Sequence, residues 1–205
     1  MGAVFCTIQS ITMARPREFD LDQVLDSATR VFWARGYEHT SVDQLCDATG
    51  LGRSSLYGAF RHKRGLYVQA LARYEEGSVA RIRAALEGRP VREGLARFLA
   101  GLVDAIVAGP GRRGCFIGNC AAELARLDRV AASRVRRSLA RIEAEFASAL
   151  EAAQGRGEIA KRADVLALAR FITAGIQGLR LVGKANPDRK ALEDVTAVML
   201  RALDA

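Results

Sequence analysis

The stretch Ser41–Lys63, SVDQLCDATGLGRSSLYGAFRHK, constrains this chain more than any other. Ser41 followed three residues later by Gln44 is a capping box: the Ser oxygen takes one backbone N–H and the Gln side chain reaches back to another. Val42, Leu45 and Cys46 fall at i, i+3 and i+4, one buried face of a short helix. Thr49-Gly50-Leu51-Gly52 ends it, because glycine supplies the backbone freedom a tight helix-to-helix turn needs. A second helix runs from Arg53 to about Phe60, with Leu56 and Phe60 buried four apart. Arg53, Ser54, Ser55, Tyr57 and Ala59 are left facing outward. Hydrogen-bonding and basic side chains on the free face of the second helix are the layout of a helix-turn-helix with a recognition helix.

The rest of the chain reads as helix throughout. Half of its 205 residues are hydrophobic but only 6% are aromatic and four are Pro, a balance that favours an all-α protein with a sizeable core. Asp20 caps a first helix, with Gln23 completing a second capping box, and Leu21, Val24, Leu25, Ala28, Val31 and Phe32 keep helical spacing up to Gly36. Longer helical runs follow from Lys63, Val91, Cys115, Val130, Asp164 and Pro187, and about nine helices fit with no strand alternation. The expected division is an extension over 1–12, a three-helix DNA-binding domain over 13–62, and a helical sensing and dimerisation domain over 63–205. Residues 1–12 are uncharged and lack the basic start of a signal peptide, and Met13 is the expected true start. Charged residues interrupt each apolar run, so no membrane span and a cytoplasmic location are expected.

Net charge is +8, yet residues 13–63 hold seven basic and seven acidic side chains, so overall charge is no argument for nucleic acid. Local charge is: Arg53–Arg64 carries four Lys or Arg, together with His62, and no acid. The four Cys (6, 46, 115, 120) form no C-x-x-C and both His lie near the helix-turn-helix, so neither a disulfide framework, a metal site nor a cofactor is expected.

From about Arg15 to Leu71, and most specifically through Gly50-Leu51-Gly52-Arg53-Ser54-Ser55-Leu56-Tyr57 with Phe60 and Lys63, the chain resembles the DNA-binding domain of TetR-family transcriptional regulators. The resemblance implies a homodimer that represses transcription from a palindromic double-stranded operator and is released by a small-molecule or electrophile effector. It implies phosphate contacts from Thr40, Ser41, Tyr57, His62 and Lys63, and base-edge contacts from Arg53, Ser54, Ser55 and Ala59. The physics agrees for Arg53, which can pair bidentately with guanine, and for Ala59, which can touch a thymine methyl. Gly58 stands where many members carry a large aromatic; it allows a close backbone approach or is drift.

In relatives the last two helices form a four-helix dimer interface. Here Leu168, Phe171, Ile172, Gly175, Ile176, Leu179, Val195 and Met199 are the candidates, an intramolecular core being the alternative. Cys115, after Arg112 and Arg113 and opening a helix, is the candidate redox or electrophile sensor, with Cys120 nearby and Lys184 just past a helix ending at Gly183. A helix N-terminus and cations favour the thiolate; the alternative is that these Cys are small buried residues. Gly109–Gly114 spells G-x-G-x-x-G but follows a helical pattern, not a strand, and reads as a loop. An all-α enzyme lacks any Ser-His-Asp arrangement. A nonspecific DNA-coating protein would draw on the six Arg between Arg126 and Arg141, a run that reads better as a solvated helix face.

Overall fold

The computed structural model describes residues 19–204. The extension 1–12, the start at Met13 and the arm Arg15-Pro16-Arg17 lie outside the described residues. Among the described residues there are nine α-helices and no strand: α1 (Leu21–Arg35), α2 (Val42–Thr49), α3 (Arg53–Phe60), α4 (Lys63–Leu86), α5 (Val91–Val107), α6 (Phe116–Leu124), α7 (Arg129–Gly155), α8 (Val165–Ala185) and α9 (Arg189–Arg201).

Local chemistry sets most of the boundaries. Asp20, Asp128, Asp164 and Asp188 each accept backbone N–H bonds at the start of α1, α7, α8 and α9. The capping box is complete only at Ser41; at α1 Asp20 caps alone, with no return bond from Gln23. Phe32, Leu45 and Leu56 are fully buried where α1, α2 and α3 meet. Truncating a side chain such as Leu56 there costs ~2–5 kcal/mol.

α4 serves two cores. Its first turns bring Leu66, Tyr67 and Ala70 onto α1, where the Thr29 hydroxyl donates to the Ala70 carbonyl at 3.3 Å and Tyr67 meets Phe32 edge-on at 4.9 Å. Further along, Glu75, only 3% exposed, accepts from Arg134 (2.5 Å), Ser138 (2.5 Å) and Arg141 (2.8 Å) of α7. A carboxylate this deep is tolerable only because it is paired on several sides, and removing one partner of such a pair costs about 3–5 kcal/mol. The helix that follows the helix-turn-helix is thereby fixed against the long α7.

One helix differs from the sequence expectation. α8 does not stop at Gly183 but runs on to Ala185, so Lys184 sits in its last turn. Gly183 is a contact residue: a Cβ there would come within 2.5 Å of Ile106, so glycine lets α8 close on α5. α8 is also the one helix among the described residues long and apolar enough, by length and composition, to cross a membrane, although Arg170, Arg180 and Lys184 interrupt it as expected. Its apolar residues fall on two opposite stripes. Ile172, Ile176 and Leu179 enter the core, while Phe171, Leu181 and Val182 face out.

Candidate nucleic-acid interface and effector region

The helix-turn-helix leaves one helix face uncovered. Gly50 closes α2 in the left-handed region (φ 70°), and Gly52 precedes α3 without a side-chain cap. The first N–H groups of α3 therefore keep no side-chain partner, a donor array suited to phosphate. Leu56 and Phe60 are the residues α3 buries; Arg53, Ser54, Ser55, Tyr57 and Gly58 are exposed. Ala59 departs from the expectation. Three positions from Leu56, it leans half-buried on the core, and its methyl is only partly available to a base edge.

Around that face several side chains are already engaged. Ser41 is exposed; its oxygen accepts from the Gln44 N–H (3.1 Å) and Gln44 accepts from the Ser41 N–H (3.0 Å), leaving the hydroxyl proton free. Thr40 corrects the sequence reading. It is 1% exposed and its hydroxyl donates to the Gly36 carbonyl at 2.6 Å, so it braces the α1–α2 turn with its side chain rather than facing phosphate. His62 caps α4 by accepting the Gly65 N–H on Nδ1 (2.8 Å), which leaves the imidazole proton on an outward Nε2. Gly65 was missed by sequence reasoning: a Cβ there would meet the Phe60 carbonyl at 2.2 Å, so the α3–α4 corner closes only on glycine. The Lys63 ammonium stands 4.2 Å over the Tyr37 ring. Arg53 grips Asp43 of α2 in a bidentate pair (2.6–2.8 Å), both side chains well exposed, and hydrogen bonding to that carboxylate raises its pKa further. The fork that fits guanine is occupied by an internal carboxylate, which a base edge would have to displace.

α6 ties this unit to the rest of the molecule. Glu123 accepts the backbone N–H groups of Tyr37 (3.0 Å) and Glu38 (2.9 Å) in the α1–α2 turn. Gly36, at φ 81°, leaves room for that carboxylate, which a Cβ would meet at 2.9 Å. Asp128, just after α6, accepts from Arg64 at the start of α4 (3.1 Å). At its other end α6 sends Phe116 against Tyr67 (5.3 Å) and Tyr74 (5.8 Å). Nothing in the sequence pointed to Glu123, whose partners lie more than eighty residues away.

Cys115 is the N-terminal flanking residue of α6, not its first helical residue, and is 6% exposed. It lines a small cavity shared with Tyr74, Arg81, Thr173, Gln177 and Arg180. Burial, and after it the nearby thiol, pushes the Tyr74 phenol up to about 12. The Lys184 side chain passes 3.6 Å from the position a Cβ would take on Gly114, next to Cys115. Cys120 is fully buried and burial pushes its thiol up, against the opposing pull of the Tyr67 hydroxyl, which removes it as a reactive candidate. Among the described residues no cluster of His, Cys, Asp and Glu is arranged to hold a metal ion.

The expected dimer residues divide. Phe171 and Val195 are exposed, whereas Ile172, Ile176, Leu179 and Met199 are buried within their own chain. Gly175 lies under Met199, whose sulfur a Cβ would meet at 2.9 Å, and Leu168 is half-buried. The outward stripe instead adds Leu181 (71% exposed), Val182 (55%) and Val198, with Ala174 and Gly178 between.

Residues 24–70 match the model of the bacterial regulatory proteins of the tetR family, and residues 92–199 match that of the tetracyclin repressor-like C-terminal domain. The chain is 32% identical over 189 residues to the HTH-type transcriptional repressor ComR of Escherichia coli K12, covering 91% of this chain and 90% of ComR. It is 32% identical over 194 residues to the HTH-type transcriptional regulator YezE of Bacillus subtilis 168, covering 94% of this chain and all of YezE. Among solved structures, a cysteine mutant of the TetR family regulator CifR complexed with 26 bp double-strand operator DNA superposes with a TM-score of 0.78 at 32% identity, over 92% of this chain and 99% of CifR.

Proposed function

This chain belongs to the tetR family of bacterial regulatory proteins, and from that premise we propose that it is a homodimeric transcriptional repressor whose two α3 helices read a palindromic operator. The observation that carries the reading is the face of α3, where Arg53, Ser54, Ser55 and Tyr57 stand clear of a helix that buries only Leu56 and Phe60. One such helix reads few base pairs, so specificity requires a second at a fixed spacing. The outward stripes of α8 (Phe171, Leu181, Val182) and α9 (Val195, Val198) supply the apolar surface for pairing two copies, which also accounts for the apolarity of α8. Ser41, Tyr57, His62 and Lys63 hold phosphates in this reading, while Arg53, Ser54 and Ser55 face base edges. A protein that works on the chromosome of a bacterium acts in the cytoplasm, and its relatives ComR and CifR are a transcriptional repressor and a transcriptional regulator.

Footprinting with the purified protein tests this. A protected palindrome with two half-sites one helical turn apart or a multiple of it is expected. Equal affinity for operator and random DNA would overturn the reading.

Release by an effector acts through the C-terminal domain, and the thiol version of that idea rests on Cys115. Its supports are a position beside the α6 N-terminus, a cavity shared with Arg81 and Arg180, and Lys184 at hand. Its burial restricts it to small reagents that can enter that cavity. Operator release by a mild oxidant or a quinone should disappear in Cys115→Ser; unchanged release in that variant dismisses the thiol version and leaves the repressor reading intact.

A further inference from the structure

A cleft of roughly 870 Å³ opens between the two halves of the chain, walled by α1, α4, α5, the turn after α5, and α8. That is within the range of small-molecule sites, roughly 300–1,000 Å³. Trp33 of α1 and Tyr74 of α4 meet edge-to-face at 5.1 Å in its wall, and Leu102, Ala105 and Pro110 add apolar surface. Five guanidinium groups line it against two carboxylates, Asp26 and Glu76. Asp26 is spent on Arg73, which it receives at 2.8 Å. The other guanidiniums find only neutral partners among the described residues. Arg81 donates to the Ser78 hydroxyl (3.1 Å), Arg180 to the Tyr74 hydroxyl (3.0 Å) and the Gly114 carbonyl (3.4 Å), and Arg113 lies over the Trp33 ring.

Two buried polar atoms next to these groups are also unpartnered. The Trp33 indole N–H finds no acceptor, and neither does the hydroxyl of Thr173, in the small cavity behind Tyr74, Arg81 and Arg180. Burial, reinforced by the like charge of Arg180, draws the Arg81 pKa below the usual arginine range: the protein around its head disfavours the cation as the site stands. A second cleft of roughly 600 Å³, at the far end of α4, has no such imbalance, since Arg83 pairs with Glu145 and Arg156 with Glu158.

We propose that the interdomain cleft binds a small organic carboxylate with a flat or aliphatic body, held by Arg81 and Arg180, its body against Trp33, Tyr74 and Leu102. A carboxylate accepts from two guanidinium forks at once and supplies the missing counter-charge. The walls favour a monoanion with an apolar body over inorganic phosphate, because Asp26 and Glu76 stand in the same wall and much of the rest is hydrocarbon. This inference rests on the reading of the chain as an effector-released repressor and gives that effector a chemical class. Because α1 belongs to the DNA-reading part and α8 carries the dimer face, an occupant of the cleft touches both, and its binding energy is what can shift α3 relative to its twofold mate.

Trp33 is the only tryptophan in the chain, so its emission reports on the cleft directly. Titration of the full-length protein with benzoate and octanoate should give saturable changes, and titration with benzamide or inorganic phosphate should not. Arg81→Gln should weaken benzoate about tenfold or more, the loss expected when a charge-assisted pair is removed. Arg180→Gln should do the same, and its melting temperature separates loss of binding from loss of the Tyr74 and Gly114 contacts. Benzamide matching benzoate, phosphate outcompeting both carboxylates, Arg81→Gln titrating as the native protein, or no saturable change at millimolar carboxylate would each overturn the proposal. Operator binding measured on the same samples keeps the two readings apart. Specific binding with no carboxylate response removes the cleft assignment alone; carboxylate binding without specific DNA binding removes the repressor and leaves the cleft.

Discussion

α3 and α8 are both surface helices, and they leave opposite chemistries uncovered. α3 buries two residues and exposes donors: Arg53, Ser54, Ser55 and Tyr57. α8 buries seven and exposes Phe171, Leu181 and Val182. A polar helix face costs nothing in water and can wait for a partner whose contacts are charge-assisted and salt-sensitive. An apolar stripe of that size is costly to leave wet, so its partner must be nearly permanent. On the proposed reading, the same protein presents one face for transient occupation by DNA and one for lasting occupation by its own copy.

The largest effect that would break this contrast is on α8. Val182→Glu changes no core contact within the chain, yet twofold symmetry places the new charge in the interface twice. The dimer dissociation constant should rise by about 100-fold or more, with operator binding falling in step, as sedimentation and gel shift would read. Ile172→Glu, next to Phe171 but on the inward stripe, should unfold the chain instead. If Val182→Glu stays dimeric, the outward stripe has been assigned the wrong occupant.

The next effect sharpens the α3 side. Arg53→Ala should relax base preference at one position per half-site by about tenfold, while leaving random-sequence binding close to native. Asp43→Asn frees the Arg53 fork without altering it. It should tighten binding to operator and random DNA together and steepen the salt dependence by about one counterion. Opposite behaviour of the two variants is the signature of an arginine exchanged between an internal carboxylate and DNA. If Asp43→Asn weakens binding, Asp43 is orienting Arg53 in the complex rather than competing for it.

The two helices also differ in how far the sequence disclosed them. α3 was legible because its rules are local: Ser41 and Gln44 three apart, glycines at the turn, Leu56 and Phe60 four apart. α8 is apolar on both sides, so periodicity named a helix but not which stripe faces in. Phe171 and Ile172 are neighbours with opposite fates. Gly183 looked like a helix stop because its role, room for Ile106, depends on α5. Thr40 misled for a related reason, since its hydroxyl is spent on Gly36 by the path of the turn. Trp33, Arg81 and Arg180 come from three helices distant in sequence, and no spacing rule joins them.

A smaller effect lies at the joint between the regions. Glu123 receives Tyr37 on one oxygen and Glu38 on the other, so Glu123→Gln leaves one ordinary acceptor and turns an NH2 donor toward the second N–H, which loses its partner. A loss of ~1–3 kcal/mol in unfolding free energy is expected. Because the bonded turn directly precedes α2, operator affinity should also fall a few-fold. A stability loss with unchanged operator affinity would make α6 a brace rather than a coupling element.

Gly58 gives the smallest effect and the cleanest comparison of stability with function. A Cβ built there meets nothing within 4 Å, and the position is exposed in mid-helix. Nothing in the free protein requires glycine, and glycine in an exposed helix costs about 1 kcal/mol against alanine. Gly58→Ala should therefore raise stability by ~0.5–1 kcal/mol in denaturant unfolding. Operator affinity should stay within about twofold, because Arg53, Ser54 and Tyr57 already stand farther out than one methyl group reaches. A variant that is more stable but binds operator several-fold more weakly would reverse that expectation. It would mean that the α3 backbone itself comes against the DNA at Gly58, and that a cost in folding is being met there for a contact the free protein does not make.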